Sequence, residues 1–275
     1  MLQEFALQDG DFQKISHLVL TTTGIVISDR KRAFIQGRLG RRLRALGLAN
    51  FRDYCHVLDG PDGEAERRVL VNAITTNHTA FFREPHHFDF LAKTVLPEIF
   101  RSDAKSSRRL RIWSAGCSTG EEPYTIAMIL RDGQWPLCDW DARILATDLD
   151  TNVLGHATAG IYDAERIQSI PPNFRQRYVV EQPDGFGSMN PSLQSLITFK
   201  PLNLLSEWPM HGPFDVIFCR NVVIYFDKPT QRRLFDRYAD LLKPGGWLMV
   251  GHSESLQKLT NRFELTGRTI YRRVR

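Results

Sequence analysis

The sequence contains no apolar run near the roughly 18 residues that a membrane-spanning helix requires. Its start, "MLQEFALQDGDF", holds acids and no basic region, which is unlike a secretory signal. The four cysteines are widely scattered and form no C-x-x-C pair. This spacing argues against a disulfide framework and against a structural zinc site. We therefore expect a cytoplasmic chain that is not inserted into a membrane.

Acidic residues are missing from one strongly basic stretch, "RKRAFIQGRLGRRLRAL", which begins at Arg30. Its apolar residues fall in one arc of a helical wheel: Ile35, Leu39, Leu43 and Leu46. Its arginines include Arg38, Arg41, Arg42 and Arg44. The pattern predicts an amphipathic helix with a cationic exposed face. A solvated surface is the plain interpretation, and a docking surface for an anionic partner is the one we favour.

The chain changes its periodicity near residue 110. Before it, three- and four-residue apolar spacing predicts helices. After it, predicted strands ("LRIWSAG", "ARILATD", "FDVIFCRN", "WLMVGHS") alternate with helices at Glu121–Arg131 and Thr230–Leu242. This alternation implies a mostly parallel sheet. Prolines, glycines and short β-type runs interrupt it between Gly160 and Phe199, and "FELTGRTIYRRV" predicts a closing hairpin.

Ligands of such sheets bind outside the carboxyl ends of the strands. The turn "SAGCSTGEEPY" after the first strand is neither a Walker loop nor a complete G-x-G-x-x-G, although Gly116 and Gly120 allow a close backbone approach. Asp148 ends the second strand, where a carboxylate either binds ribose hydroxyls or caps a helix. Asn221 follows a later strand and precedes aromatic residues, an arrangement typical of class I methyltransferases. The glycine turn and Asp148 together favour a nucleoside ligand, and the position of Asn221 favours S-adenosylmethionine over NAD.

Several segments carry a resemblance in the right order: "TTNHTAFFREPHHF", "WSAGCSTGEEPYTIAM", "ATDLD", "FCRNVVIYF", "LLKPGGWLMVGHSE" and "RTIYRR". From about residue 10 to its end the chain resembles the chemotaxis-receptor glutamate methyltransferases, the CheR family. The resemblance implies an α/β class I S-adenosylmethionine-dependent methyltransferase with a Rossmann-like, mostly parallel sheet. It also implies an N-terminal all-α domain (1–75), a linker that contributes to the cofactor site (76–92) and a methyltransferase domain (93–275). A small antiparallel β-subdomain is expected at about 160–199.

The resemblance further implies that S-adenosyl-L-methionine is bound, that S-adenosyl-L-homocysteine is released, and that no metal takes part. The implied cofactor contacts are Asn77, Thr79, Arg83, Gly116, Glu121, Asp148, Asn203, Leu204, Arg220 and Asn221. Between Glu121 and Glu122 the resemblance favours Glu121. Arg83 and Tyr225 are expected only to position the accepting carboxylate. A glutamate with a reference pKa of about 4.3 is ionised at neutral pH and needs no general base.

The implied substrates are specific glutamates on the acidic cytoplasmic helices of chemoreceptors, so recruitment to membrane receptor clusters is expected. The arginines of the basic stretch are expected to dock those helices. The segment "VVEQPDGFGSMNPSLQSLITF" is short beside versions that bind a receptor C-terminal peptide, which argues against such a tether. A monomer is expected. The alternatives are a non-catalytic S-adenosylmethionine-binding adaptor and a nucleic-acid methyltransferase. Nucleic acid is not the expected partner, because the basic run does not alternate with aromatic residues.

Histidines are concentrated in one short segment, at His78, His86 and His87. Adjacent histidines are poorly placed to converge on one ion. We also expect no carboxylate or cysteine close enough to complete a tetrahedral set. The histidines are therefore expected to pack around a helix start, and no metal site is predicted.

Overall fold

The computed structural model describes residues 5–61, 63–102, 108–133 and 135–275. Its contacts divide the chain into two compact units. The first unit extends to Thr76 and includes Tyr225–Asp227, and the second holds Asn77–Ile224 and Lys228–Arg275. From Asn77 onward, the segment predicted as a linker belongs to the second unit. No helix in the described ranges is long and apolar enough to cross a membrane.

The first unit is helical. Its described helices are α1 (Asp9–Thr23), α2 (Arg32–Leu46), α3 (Phe51–Asp59) and α4 (Gly63–Ile74). On α2 the predicted arc is buried at Ile35, Leu39 and Leu43 and packs into the core of this unit. Leu46 was predicted to share that arc and does not, since it is 37% exposed. The reason is that α2 ends there, at the left-handed Gly47.

The second unit contains a seven-stranded sheet with the order β6-β2-β1-β7-β8-β10-β9. Its strands are β1 (Arg109–Ala115), β2 (Asp141–Asp148), β6 (Ile197–Pro201), β7 (Phe214–Cys219), β8 (Leu242–Val250), β9 (Phe263–Gly267) and β10 (Ile270–Arg273). The pairings from β6 across to β8 are parallel. β10 is antiparallel to both β8 and β9. The mostly parallel sheet and its closing hairpin are thus as predicted.

A smaller antiparallel sheet, ordered β3-β5-β4, interrupts the alternation. Its strands are β3 (Ile161–Asp163), β4 (Val179–Glu181) and β5 (Phe186–Met189). The remaining described helices of the second unit are α5 (Pro85–Phe90), α6 (Leu96–Ser102), α7 (Glu121–Asp132), α8 (Thr151–Ala159), α9 (Ala164–Gln168), α10 (Pro172–Tyr178), α11 (Pro191–Gln194) and α12 (Lys228–Leu241). A π-helical turn, Leu91–Val95, joins α5 to α6. The predicted antiparallel β-subdomain is confirmed.

Burial on both faces explains the continuous apolar runs of the central strands. Every residue of β7 is buried, and the largest fully buried side chain, Trp113 of β1, donates its indole N–H to Thr147 Oγ1 at 2.9 Å. Helix α7 is buried from Glu121 to Leu130. The parallel pairings place the carboxyl ends of β6, β2, β1 and β7 side by side at one end of the sheet.

Candidate functional site

The carboxyl edge of the sheet brings four predicted residues onto neighbouring strand ends. Asn203 follows β6, Asp148 ends β2, Gly116 follows β1 and Asn221 follows β7. Parallel strands in this order form the crevice where open α/β sheets bind their ligands. The order of the strands therefore unites residues that lie far apart in the sequence.

The turn after β1 requires glycine at Gly116. Its N–H donates to Thr147 O at 2.8 Å, and its φ is +82°. A Cβ at this position would lie 2.3 Å from Val222 Cγ2, closer than any real Cβ contact. Without a side chain, the backbone after β1 can approach the backbone after β7, and the ligand-facing turn stays open.

Asp148 is not the N-cap of α8. The N-cap of α8 is Asp150, whose carboxylate accepts from Asn152 N at 2.9 Å and from Asn77 Nδ2 at 2.7 Å. The Asp148 carboxylate instead accepts the backbone N–H of Ser118 at 2.8 Å and of Asp150 at 3.0 Å. An ionised carboxylate has about four acceptor positions, and the assignment of Asp148 to ribose hydroxyls stays a prediction. Burial raises its pKa despite these amides.

Glu121 and Glu122 begin α7, and each has its own internal partners. Glu121 is fully buried and accepts from Thr119 Oγ1 at 2.7 Å and from Arg166 Nη1 at 2.9 Å. Arg166 lies on α9, next to the small sheet, and was not predicted. The sequence around Glu121 and Glu122 does not indicate that Arg166 is their neighbour, because the position of Arg166 depends on how the inserted segment folds. The assignment of Glu121 to the cofactor stays a prediction.

Arg220 lies at the centre of a buried charge network. Its side chain is 3% exposed, and it contacts Glu122 Oε2 at 3.0 Å and Glu84 Oε2 at 3.4 Å. It also donates to Arg83 O and lies over the Phe88 ring. Burial raises the pKa of Glu122. Burial acts to raise the pKa of Glu84 as well, but the hydrogen bond from His252 and the charge of Arg220 lower it to about 2. The Arg220 side chain therefore has little surface to offer a ligand.

The histidines correct one expectation. Glu84 is a nearby carboxylate, and its ligand atom lies within 4.8 Å of those of His86 and His87. His87 is fully buried, and burial followed by the charge of Arg220 lowers its pKa to about 3. Since the Arg220 guanidinium already provides the positive charge beside Glu84 Oε2, we assign Glu84 to an ion pair. The expected absence of a metal stays a prediction.

The turn after β7 carries Asn221 in the left-handed region, with φ +60°. Its N–H donates to the buried carboxylate of Glu254 at 2.9 Å. Sequence reasoning missed Glu254, which lies in "GHSE" after β8. Only the parallel pairing of β7 with β8 gives this carboxylate a place beside Asn221.

Three predicted residues have other contacts, and the burial of a fourth is known. Asn203 Oδ1 accepts Leu205 N at 3.0 Å, and the carbonyl of the buried Leu204 accepts from Arg237 Nη1 at 2.7 Å. Arg83 Nη1 donates to His78 O at 2.7 Å, and Thr79 is half-buried.

Tyr225, predicted to position a carboxylate, belongs to the first unit. In that unit, Lys31 Nζ lies 4.8 Å from the centre of the Tyr225 ring. The Tyr225 carbonyl accepts the backbone N–H of Val26 at 2.9 Å. Neither contact tests the predicted role.

The cationic face of α2 is smaller than predicted. Arg42 forms a paired interaction with the buried Glu66, at 2.9 and 2.6 Å, so an acid from outside the basic stretch compensates the charge of this residue. Arg38 donates to Ala73 O and Thr75 O at 3.0 and 2.6 Å. Arg41 and Arg44 are exposed. Glu66 lies on α4, and the prediction for α2 considered only the residues of α2 itself.

Comparison with known proteins assigns both units. Residues 77–272 match the family described as "CheR methyltransferase, SAM binding domain", and residues 10–75 match "CheR methyltransferase, all-alpha domain". The "Chemotaxis protein methyltransferase" of Escherichia coli (strain K12) is 42% identical, over 98% of this chain and 93% of that protein. That of Klebsiella aerogenes is 44% identical, over 98% and 92%. "Chemotaxis protein methyltransferase 2" of Pseudomonas aeruginosa is 41% identical, over 98% and 95%.

Proposed function

The chain belongs to the CheR methyltransferase family, and on this premise we propose that it esterifies glutamate side chains of chemoreceptors with methyl groups from S-adenosylmethionine. One observation carries the proposal most directly. The strand order places Asn203, Asp148, Gly116 and Asn221 at one edge of the sheet. Relatives with this full-length similarity are named as methyltransferases of chemotaxis, which supports a chemoreceptor as the substrate.

The residues of this edge suit the cofactor. The Asp148 carboxylate accepts the backbone N–H groups of Ser118 and Asp150, and we propose that its remaining acceptor positions bind the two ribose hydroxyls. Gly116 keeps the turn after β1 free of a side chain. Asn77, Thr79 and Arg83 offer an amide, a hydroxyl and a guanidinium, groups that bind a carboxylate such as that of a methionyl moiety.

When bound, S-adenosylmethionine supplies an electrophilic methyl group on its sulfonium. The accepting glutamate, with a reference pKa of about 4.3, is already ionised at neutral pH, so this chain need not remove a proton. Its task is to orient the carboxylate and exclude water. We assign a positioning role to Arg83 and Tyr225, because a cation that paired firmly with the carboxylate would weaken the nucleophile.

The exposed arginines of α2 are proposed to dock an acidic receptor helix. Arg41 is exposed, whereas Arg42 is paired with Glu66 and Arg38 donates to carbonyls at the end of α4. Docking is therefore proposed to rest mainly on Arg41. Exposed charges interact weakly and are screened by salt, which suits a brief encounter at a cytoplasmic receptor cluster.

The test uses methyl-labelled S-adenosylmethionine, cytoplasmic receptor fragments, and wild-type protein beside an Asp148→Ala variant. We expect label on the receptor that alkali releases as methanol, and its loss in the variant. Cofactor binding without transfer to any receptor fragment would support a non-catalytic adaptor instead. Alkali-stable label on copurifying RNA would support a nucleic-acid enzyme.

A further inference from the structure

The carboxylate of Glu254 collects backbone amides from the turn that follows β7. Its Oε1 accepts the N–H groups of Val222, Val223 and Ile224 at 2.9, 2.8 and 3.3 Å. Its Oε2 accepts those of Asn221 and Gly251 at 2.9 and 2.6 Å. These successive amides form the kind of concave nest that binds an anion. Here the anion is a side chain of the protein itself, 4% exposed.

The turn has an unusual backbone conformation. Asn221 is left-handed at φ +60°, a region that few non-glycine residues adopt and that asparagine tolerates better than most. Glycines also flank the turn. A Cβ on Gly251 would lie 2.5 Å from Asn221 Nδ2 and 2.8 Å from its backbone nitrogen, and a Cβ on Gly116 would collide with Val222.

We propose that Glu254 is a positioning residue for methyl transfer, which sets the conformation of the Asn221–Ile224 turn and so the place of Asn221 at the cofactor edge. This inference rests on the proposed function, because Asn221 is one of its expected cofactor contacts. Glu254 itself touches neither cofactor nor substrate. It acts through the five amides that its two oxygens hold.

Both oxygens are needed, which makes Glu254→Gln an informative variant. A glutamine has one acceptor oxygen and one amino group that only donates. If its oxygen faces Val222 and Val223, its amino group meets the N–H groups of Asn221 and Gly251, and two donors then face each other. Asn221 loses its partner while the side chain keeps its size.

The experiment measures cofactor affinity by calorimetry, and methyl transfer to receptor fragments, for wild-type and Glu254→Gln protein. We expect the dissociation constant for S-adenosylmethionine to rise at least about tenfold, with the KM for the receptor little changed. The matched control is Asp215→Asn. Asp215 is also a buried carboxylate (4% exposed) that accepts a backbone N–H, from Arg111, but it lies at the opposite end of β7. Its loss should lower the melting temperature without changing cofactor affinity.

Gly251→Ala tests the same turn from its other side if Glu254→Gln does not fold. The new Cβ must displace Asn221, so cofactor affinity should fall, whereas Gly155→Ala on α8, with open space around it, should leave it unchanged. Wild-type affinity in Glu254→Gln and Gly251→Ala would overturn the inference, as would an equal loss in Asp215→Asn. If the wild-type protein itself neither binds the cofactor nor transfers methyl groups, the proposed function has failed.

Discussion

Arginine serves two different purposes in the two units of this chain. In the second unit, Arg220 is 3% exposed and lies between the carboxylates of Glu84 and Glu122. In the first unit, Arg41 on α2 is exposed, and no ion pair or hydrogen bond of its side chain is seen within the described ranges. A buried guanidinium is held by its partners and fixes their positions, whereas an exposed one remains available to a second molecule. Arg220 therefore stabilises the interior of its unit, whereas Arg41 is the arginine proposed to contact an acidic partner.

Removing the buried arginine should have the largest effect. Arg220→Met leaves Glu84 and Glu122 without their cation, and breaking one side of a buried ion pair typically costs about 3–5 kcal/mol. The measurement is the free energy of unfolding from urea titration. Arg143→Met is the control, because Arg143 is 58% exposed in its side chain and pairs with Asp141 at 3.6 Å. The control should lose less than about 1 kcal/mol. Equal losses would remove the distinction between buried and exposed arginines.

The second largest effect is expected from Asp148→Asn, at the carboxyl ends of the strands. The amide keeps one acceptor oxygen but loses the charge and half of the acceptor capacity that a ribose diol would use. We expect cofactor affinity to fall about 10- to 100-fold, the usual range for a hydrogen bond to a charged group. Asp163→Asn is the control, since Asp163 caps α9 with one oxygen and should leave affinity unchanged. If the cofactor Kd is unchanged in both variants, the assignment of Asp148 to the cofactor site is wrong.

The buried cluster should also impose a pH dependence. The pKa of His87 is lowered to about 3 in the folded protein, whereas an unfolded histidine titrates near 6.5. Between these values the unfolded chain binds more protons, so stability rises with pH and is lost as pH falls from about 6.5 toward 3. Glu84, with its pKa near 2, stays ionised throughout this window.

Wild-type protein should therefore lose about 2 kcal/mol more than His87→Gln when pH falls from about 7 to about 5. Urea titrations at the two pH values give this difference. His78→Gln, at an exposed position of the same segment, is the control and should behave like wild type. Parallel pH dependence in wild type and His87→Gln would show that His87 is not the group responsible.

The smallest effect is expected from the exposed arginine. Arg41→Glu should raise the KM for an acidic receptor fragment about two- to fivefold at low salt, and less at high salt. Cofactor affinity should not change. Arg68→Glu, an equally exposed charge reversal on α4, is the matched control and should leave KM unchanged. The docking proposal is contradicted if both variants raise KM equally. It is also contradicted if Arg41→Glu lowers cofactor affinity as well as raising KM.

The main fold features could be predicted because each depends on the spacing of apolar residues within a short segment. The apolar spacing of "RAFIQGRLGRRLRAL" predicted α2, and the run "FDVIFCRN" predicted a strand, β7. Asp148 was located for a related reason, since a polar residue that ends an apolar strand faces the carboxyl edge of a parallel sheet.

Partners distant in sequence could not be predicted. Glu66 reaches Arg42 from another helix, Arg166 reaches Glu121 from the segment inserted after β2, and Glu254 reaches Asn221 across the β7–β8 pairing. Nothing in the residues around Arg42, Glu121 or Asn221 indicates which side chain will meet them, because each pairing depends on packing of segments separated along the chain.

The sequence by itself determined which residues form helices and strands, and which polar residues stand at strand ends, because burial periodicity and turn chemistry act over a few neighbouring residues. Only the tertiary structure decided how those polar residues are used. It made Asp150 the cap of α8, it gave Asp148 the backbone N–H groups of Ser118 and Asp150, and it enclosed Arg220 between two carboxylates. A buried charge must find its partner in the folded chain, and packing, not local sequence, selects that partner.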